Sequence, residues 1–229
     1  MGVGGIVHPT SKAKSLILND FRDKGLVAVK KIGALIFQDF DLLDLFGPLE
    51  FFGMFSKDFD IQLIAEKKGN VRSAQGPSVT AEAGINNAND LDFLLIPGGP
   101  GTRCQVNNQT IIDWITSTVK TSEIVMTVCT GTALLARSGA LKGISATTNK
   151  KAYNWVCSQS NEVNWVSSAR WVEDGKYYTS SGVSAGMDMS LAVIGNLLGK
   201  EKARQASIAA EYDWHENSEW DPFAKIYGL

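Results

Sequence analysis

Glu123-Ile-Val-Met-Thr-Val-Cys-Thr-Gly-Thr-Ala-Leu-Leu-Ala136 sets a β-branched apolar segment directly against a helix-forming one, with Cys129 at the joint. The first half reads as a buried strand over residues 123–128 and the second as a helix over 130–138 closed by Gly139. A thiol at such a junction faces unpaired backbone N–H groups and the positive end of a helix dipole. Both favour thiolate over thiol, and thiolate is the nucleophilic form. A lone cysteine is more often a small buried hydrophobe. Here Thr130 and Gly131 supply the small, turn-permissive pair that a nucleophile elbow needs. The expectation is a reactive Cys129, ionised near neutral pH.

Outward from this joint the chain alternates strand and helix. Strands are expected over 32–37, 60–65 and 91–96, with a short edge strand over 79–81. Helices are expected over 41–55, with Pro48 in a first turn or at a break, and over 111–120. Beyond the elbow, 168–172 and 176–179 flank an Asp174-Gly175 hairpin turn. Helices follow over 184–198 and 200–212, and a weaker amphipathic pattern covers 11–26 with Leu16, Ile17 and Phe21 on one face. Strands alternating with helices imply an α/β fold with a mostly parallel sheet between helical layers. No repeat, low-complexity tract or long linker divides the chain. We read 1–30 as an N-terminal extension, 31–212 as one domain, and 213–229 as a tail packed on that domain or on a dimer mate.

In open parallel sheets the ligand crevice lies beyond the carboxyl ends of the strands. Three loops are expected to meet there, carrying Asp41 and Asp44, Gly98 and Gly99, and Cys129-Thr130. Asp44 sits among Leu42, Leu43, Leu45 and Phe46, and burial raises a carboxyl pKa toward the range of a proton donor. Its competing role is a helix cap or a solvated face, and Asp41 suits capping better.

Composition sets limits. The 229 residues are 44% hydrophobic and 20% charged, ordinary for a globular enzyme. The 22 basic and 24 acidic residues give a net charge of −2 with no basic, aromatic-laced stripe, so a nucleic-acid partner is not expected. No apolar run reaches the roughly 20 residues that span a bilayer, and no signal-peptide pattern opens the chain. Membrane association is not expected. The three cysteines have no metal-finger or CxxC spacing, which disfavours a disulfide framework or zinc site and suits a reducing, cytoplasmic setting. Cys104 is expected near the surface or capping a helix, and Cys157 in packing.

Several motifs together carry a resemblance: Leu35-Ile-Phe37, Leu43-Asp-Leu45, Gly47-Pro48, Leu95-Ile-Pro-Gly-Gly99, Val128-Cys-Thr-Gly-Thr132 and Gly139-Ala-Leu-Lys-Gly143. Ala146-Thr-Thr148, Arg170-Trp-Val-Glu-Asp-Gly175 and Thr179-Ser-Ser-Gly-Val-Ser-Ala-Gly-Met-Asp188 extend it. In order and spacing, from about Lys31 to Tyr212, the chain resembles the ThiJ/PfpI superfamily, and within it the isocyanide (isonitrile) hydratase branch. Several of these motifs are shared with the sensor domains of AraC-type regulators.

The resemblance implies a flavodoxin-like three-layer sandwich, dimeric, with a cysteine nucleophile elbow and no cofactor or metal. For the hydratase branch it implies attack of Cys129 on the terminal carbon of R–N≡C, a covalent thioimidate, and release of an N-substituted formamide by water. Asp44 would be proton donor and water activator. Thr130 would orient the site through its hydroxyl and N–H, and Gly99 would add a backbone donor. Such fixed donors contribute about 2.7–4 kcal/mol each in well-studied oxyanion holes.

The departures from the family pattern bear on function. Protease-like and glyoxalase-like relatives carry His directly after the nucleophile, where this chain has Thr130. Its two histidines, His8 and His215, lie in no matching motif, so a Cys-His dyad is not expected. Asn149, followed by Lys150 and Lys151, stands where many relatives have His. Ser180 and Ser181 replace common glycines, and these changes bear on pocket shape. Two further functions stay open: a glyoxal-type hydratase or deglycase on the same scaffold, and a non-enzymatic ligand or oxidation sensor. The chain runs seventeen residues past Tyr212, too few for a helix-turn-helix domain, so a sensor is expected to act through a separate partner. The tail, rich in Trp and acidic residues, reads as an arm packed on the domain or as a lid on a neighbour's pocket.

Overall fold

The computed structural model describes residues 28–229. In chain order the elements are β1 (Lys30–Leu35), α1 (Leu42–Gly53), β2 (Phe59–Ala65), β3 (Gly69–Arg72), β4 (Ser78–Ala81), β5 (Ala83–Gly84), β6 (Phe93–Ile96), α2 (Thr102–Gln105), α3 (Gln109–Thr121) and β7 (Ile124–Val128). They continue with α4 (Gly131–Arg137), β8 (Ser145–Ala146), α5 (Tyr153–Cys157), β9 (Asn164–Trp165), β10 (Trp171–Asp174), β11 (Tyr177–Ser180), α6 (Ser184–Leu198), α7 (Lys200–Ala209) and α8 (Pro222–Ile226).

The main sheet has seven strands in the order β10-β11-β7-β6-β1-β2-β5. Every neighbouring pair is parallel except β10 with β11. All residues of β6 and β7 are buried, as strands covered on both faces must be, and this explains the unbroken apolar run of β6 and a β7 whose one polar residue, Thr127, shares a hydrogen bond with Thr132. Helices α1, α6 and α7 pack together as one group, and α2, α3 and α5 gather around α4 as another. On α3 the buried residues Ile111, Ile112, Ile115, Thr118 and Val119 recur at helical spacing and form the stripe that faces the core. The result is the α/β flavodoxin-like sandwich that the alternation and the resemblance imply.

The structure adjusts several local expectations. Residues 79–81 belong to β4, which pairs with β3 in a separate antiparallel hairpin instead of edging the main sheet. Asp174 pairs with Tyr177, so the hairpin turn is Gly175-Lys176, one residue later than expected, with Gly175 at φ +61°. Pro48 neither starts nor breaks α1 but sits inside it and is buried. It lacks the N–H that would close the helical bond to the carbonyl of Asp44, four residues back. Tertiary packing therefore overrides a local helix penalty beside a candidate site residue. The helical pattern over 11–26 and His8 lie outside the described residues.

The tail is tied to the domain by polar contacts. Arg170 Nε and a terminal guanidinium nitrogen both lie 2.5 Å from Asp188 Oδ2. The Tyr212 hydroxyl and the His215 N–H each donate to Asp188 Oδ1 at 3.0 Å. Trp214 Nε1 donates to the Asp188 carbonyl, and Trp220 lies under the Arg170 guanidinium while stacking on His215.

Candidate active site

Sheet order decides which loops can meet. β7, β6 and β1 are consecutive in the sheet, so the loops leaving their carboxyl ends lie side by side. The Asp41 N–H donates to the Gly98 carbonyl at 2.9 Å, joining the first loop to the second. Gly98 N–H donates to Asp44 Oδ2 at 3.0 Å, and Gly99 N–H donates to Thr130 Oγ1 at 3.0 Å. Asp44, Cys129, Thr130, Gly98 and Gly99 thus form one buried cluster. Asp41 caps α1 by accepting from Leu43 N–H at 3.2 Å, which separates its role from that of Asp44.

Cys129 has φ +57°, in the left-handed region where a Cβ is strained. Hydrogen bonds on both sides of the residue hold it there. Its N–H donates to the carbonyls of Ser180 (3.2 Å) and Ser181 (3.0 Å). Its own carbonyl accepts from Thr148 Oγ1 at 2.8 Å and Thr132 Oγ1 at 3.3 Å. Directly after the elbow the chain passes very close to β6. A Cβ at Gly131 would sit 2.3 Å from the Ile96 carbonyl oxygen and 2.7 Å from that of Pro97. Gly131→Ala is therefore expected to cost about 1–3 kcal/mol by overpacking, read as a lower urea midpoint with an unchanged slope. Gly98 is similarly confined: a Cβ there would lie 2.7 Å from both Asp44 Oδ2 and the Thr130 nitrogen.

Thr130 is buried, and its hydroxyl is a hub. It accepts from Gly99 N–H and lies 3.1 Å from Thr102 Oγ1, whose own proton goes to the Gly99 carbonyl at 2.7 Å. The Gly99 N–H is therefore engaged within this hub, against the expectation that it would serve as a free donor. The Thr130 N–H instead faces the Cys129 sulfur. Thr102, Thr148 and Val183 belong to the site although sequence reading did not select them. Thr148 was within reach as part of the Ala146-Thr-Thr148 motif. Val183 carried no signal, because an apolar residue enters a site through its backbone only once folded.

The electrostatics correct one expectation. Asp44 is fully buried, and burial, aided by nearby Asp41, raises its carboxyl pKa to about 7. The Gly98 N–H, the Cys129 thiol and the Val183 N–H oppose that rise. The last two act through contacts looser than a full hydrogen bond, since Oδ1 is buried without a partner in bonding geometry. Cys129 is held well above its ordinary range by burial first and the Asp44 carboxylate second, and the Thr130 N–H only partly offsets them. This direction is the reverse of the expected ionisation near neutral pH. Burial outweighs the elbow's donors, and the Asp44 carboxyl faces the thiol.

Asp44 titrates near 7 when folded and near 4 when unfolded, so between those values the native state holds a proton that the unfolded chain has lost. This group's contribution to stability is present in full below about pH 4, falls as pH rises to about 7, and is flat beyond, a total on the order of 4 kcal/mol. Denaturation midpoints from pH 4 to 8 are expected to show this descent in the wild type and to lose it in Asp44→Asn.

The remaining candidates are not members of this cluster. Asn149 Oδ1 accepts from Ala152 N–H at 3.0 Å, and its amide presses on Gly182, leaving no room for a Cβ there. Cys104 is exposed on α2, Cys157 is half-buried, and all three cysteines are free. His215 is in the tail, stacked on Trp220. Among the described residues no group of three or more His, Cys, Asp or Glu is placed to hold a metal ion, and no helix is long and apolar enough to cross a membrane.

The sequence pattern of the DJ-1/PfpI family matches residues 30–196, spanning every strand of the main sheet and the whole cluster. The chain belongs to the DJ-1/PfpI family. Within that family it is similar to an isonitrile hydratase from Pseudomonas putida, with 29% identity over 80% of this chain and 78% of that one. It is also 26% identical to the HTH-type transcriptional regulator GbdR of Pseudomonas aeruginosa, over 79% of this chain but only 49% of the regulator. A solved ThiJ/PfpI family structure from Pseudomonas syringae superposes with a TM-score of 0.73 at 26% identity, over 85% of this chain and 79% of that one. A family shared by an enzyme and a regulator fixes the fold and leaves the chemistry to the site.

Proposed function

We propose that the protein is an isocyanide hydratase-like enzyme, a cysteine-dependent hydro-lyase that converts R–N≡C and water to R–NH–CHO. The observation that carries this reading is the buried Cys129–Asp44 pair, a thiol facing a carboxyl whose pKa is raised to about 7, with no histidine beside it among the described residues. Addition to an isocyanide places nucleophile and proton on the same carbon, and a sulfur and a carboxyl sharing one proton suit that demand.

The steps balance on these two residues. The Asp44 carboxylate takes the thiol proton as a sulfur electron pair forms the S–C bond to the terminal carbon. That carbon then takes the proton from Asp44, giving R–N=CH–S–Cys129. Asp44, again a base, draws a proton from water as its oxygen adds to the same carbon, and that proton passes to nitrogen. The tetrahedral R–NH–CH(OH)–S–Cys129 collapses to the formamide, its hydroxyl proton returning through Asp44 to the departing sulfur. The Thr130 N–H steadies the developing sulfur charge, and the Thr130 hydroxyl fixes the Gly99 loop. We place the reaction in the cytoplasm and in a homodimer. Exposed Leu43, Phe46 and Met54, beside a groove lined by Ile61 and Leu63, give a dimer mate an apolar surface to cover.

The test is direct. Purified protein with a simple aromatic isocyanide is expected to release the formamide, with kcat/KM rising through a midpoint near pH 7 as Asp44 becomes a base. A protein that alkylates at Cys129 yet yields no formamide would move the assignment to ligand sensing, the reading favoured by its similarity to GbdR.

A further inference from the structure

Two hydrogen-bond routes leave the strained Cys129 backbone in opposite directions and end in the same stretch of the tail. From its N–H, the route runs to the Ser181 carbonyl (3.0 Å), from Ser181 N–H to the Arg170 carbonyl (2.8 Å), and from Arg170 N–H to the Ser218 carbonyl (2.7 Å). From its carbonyl, the route runs to Thr148 Oγ1 (2.8 Å) and along the chain to Lys150, whose Nζ reaches Asp221 Oδ2 at 3.1 Å and Thr147 Oγ1 at 2.6 Å. Asp221 also links the two routes, because the Ser181 hydroxyl donates to its Oδ2 at 3.4 Å.

Lys150 and Asp221 form a deeply buried ion pair, each side chain only 1% exposed. Such a pair is a poor source of net stability, since desolvation offsets most of the attraction. Its directional contacts make it better suited to fixing a geometry. Asp221 is itself fixed, because its Oδ1 caps α8 by accepting from Phe223 N–H (2.9 Å) and Ala224 N–H (3.2 Å). The tail therefore clamps the two segments, 147–150 and 180–181, between which the elbow is suspended.

We infer that the tail, through Asp221 and Lys150, is a positioning device that holds Cys129 in its strained conformation against Asp44 and Thr130. Neither Asp221 nor Lys150 touches the reacting atoms. Their role is to keep the nucleophile in the pocket's geometry, where a displacement of about 1 Å costs on the order of 100-fold in rate.

The experiment uses the full chain and two readouts that move in opposite directions. In Asp221→Asn the elbow relaxes toward an ordinary backbone, and the thiol moves out from burial and away from the Asp44 carboxylate. Iodoacetamide labelling of Cys129 is then expected to become faster at neutral pH, with its midpoint falling toward the ordinary cysteine value. The kcat for isocyanide is expected to drop by about 100-fold with KM much less changed. Should Asp221→Asn fail to fold, Lys150→Met/Asp221→Asn removes both charges of this pair and is read in its place. A merely structural tie would lower the melting temperature and leave the labelling profile of the folded protein unmoved. A folded variant whose labelling profile and kcat both match the wild type would overturn the inference. The kcat arm rests on the proposed hydratase reading. Labelling needs no isocyanide, so it tests the clamp even where no isocyanide turns over.

Discussion

Cys129→Ser is expected to lose turnover by on the order of 10⁴- to 10⁶-fold, the scale on which a covalent enzyme fails when its nucleophile is removed. The two side chains are nearly equal in size, and the elbow is held by backbone contacts that the substitution leaves alone: the N–H to Ser180 and Ser181, and the carbonyl to Thr148 and Thr132. Folding is thus expected to be preserved, and the loss to be chemical. A carboxylate titrating near 7 can share a proton with a thiol, but it is far too weak a base to ionise an alcohol. Cys104→Ser and Cys157→Ser are expected to keep most activity, because the first thiol is exposed on α2 and the second lies half-buried beside Tyr153, outside the cluster. Steady-state assays of the three variants, with mass spectrometry for a Cys129 adduct in the wild type, make the comparison. Substantial turnover by Cys129→Ser would end the covalent route.

Much of this arrangement is visible in the residues themselves. The apolar run 93–96 and the β-branched, mostly apolar 124–128 announce strands buried on both faces, and a cysteine followed by Thr-Gly announces the turn between strand and helix. What the sequence could not carry was the balance of forces inside the pocket. The elbow's donors act through a few contacts, whereas burial acts on the whole thiol, and only the folded packing shows that burial wins. Backbone roles were hidden for a related reason. The Val183 N–H and the carbonyls of Ser180 and Ser181 belong to peptide groups that every residue possesses, so no side-chain pattern marks them. The tail contacts were equally silent, since Asp221 and Lys150 are far apart in the chain and each alone reads as a solvated charge.

Asp44→Asn tests the other half of the pair and separates proton transfer from mere polarity. Asn keeps the size of Asp and can still accept from the Gly98 N–H through its oxygen. It cannot take the thiol proton or return it to carbon, and its amide would turn donors toward Cys129 and the Val183 N–H, where a carboxylate oxygen now lies. The expected loss is about 100- to 10,000-fold in kcat, the range of general acid–base catalysis, together with loss of the rise in kcat/KM near pH 7. Asp41→Asn is the matched control. Asn caps a helix about as well as Asp, so turnover is expected to fall little, while removal of its charge lets the midpoint of the pH profile drift downward. If water activation is the step most damaged, Asp44→Asn incubated with isocyanide is expected to accumulate the Cys129 thioimidate, visible as a mass increase equal to one substrate molecule. Wild-type turnover by Asp44→Asn would remove the proton carrier on which the hydratase reading depends and leave ligand sensing as the function of the pocket.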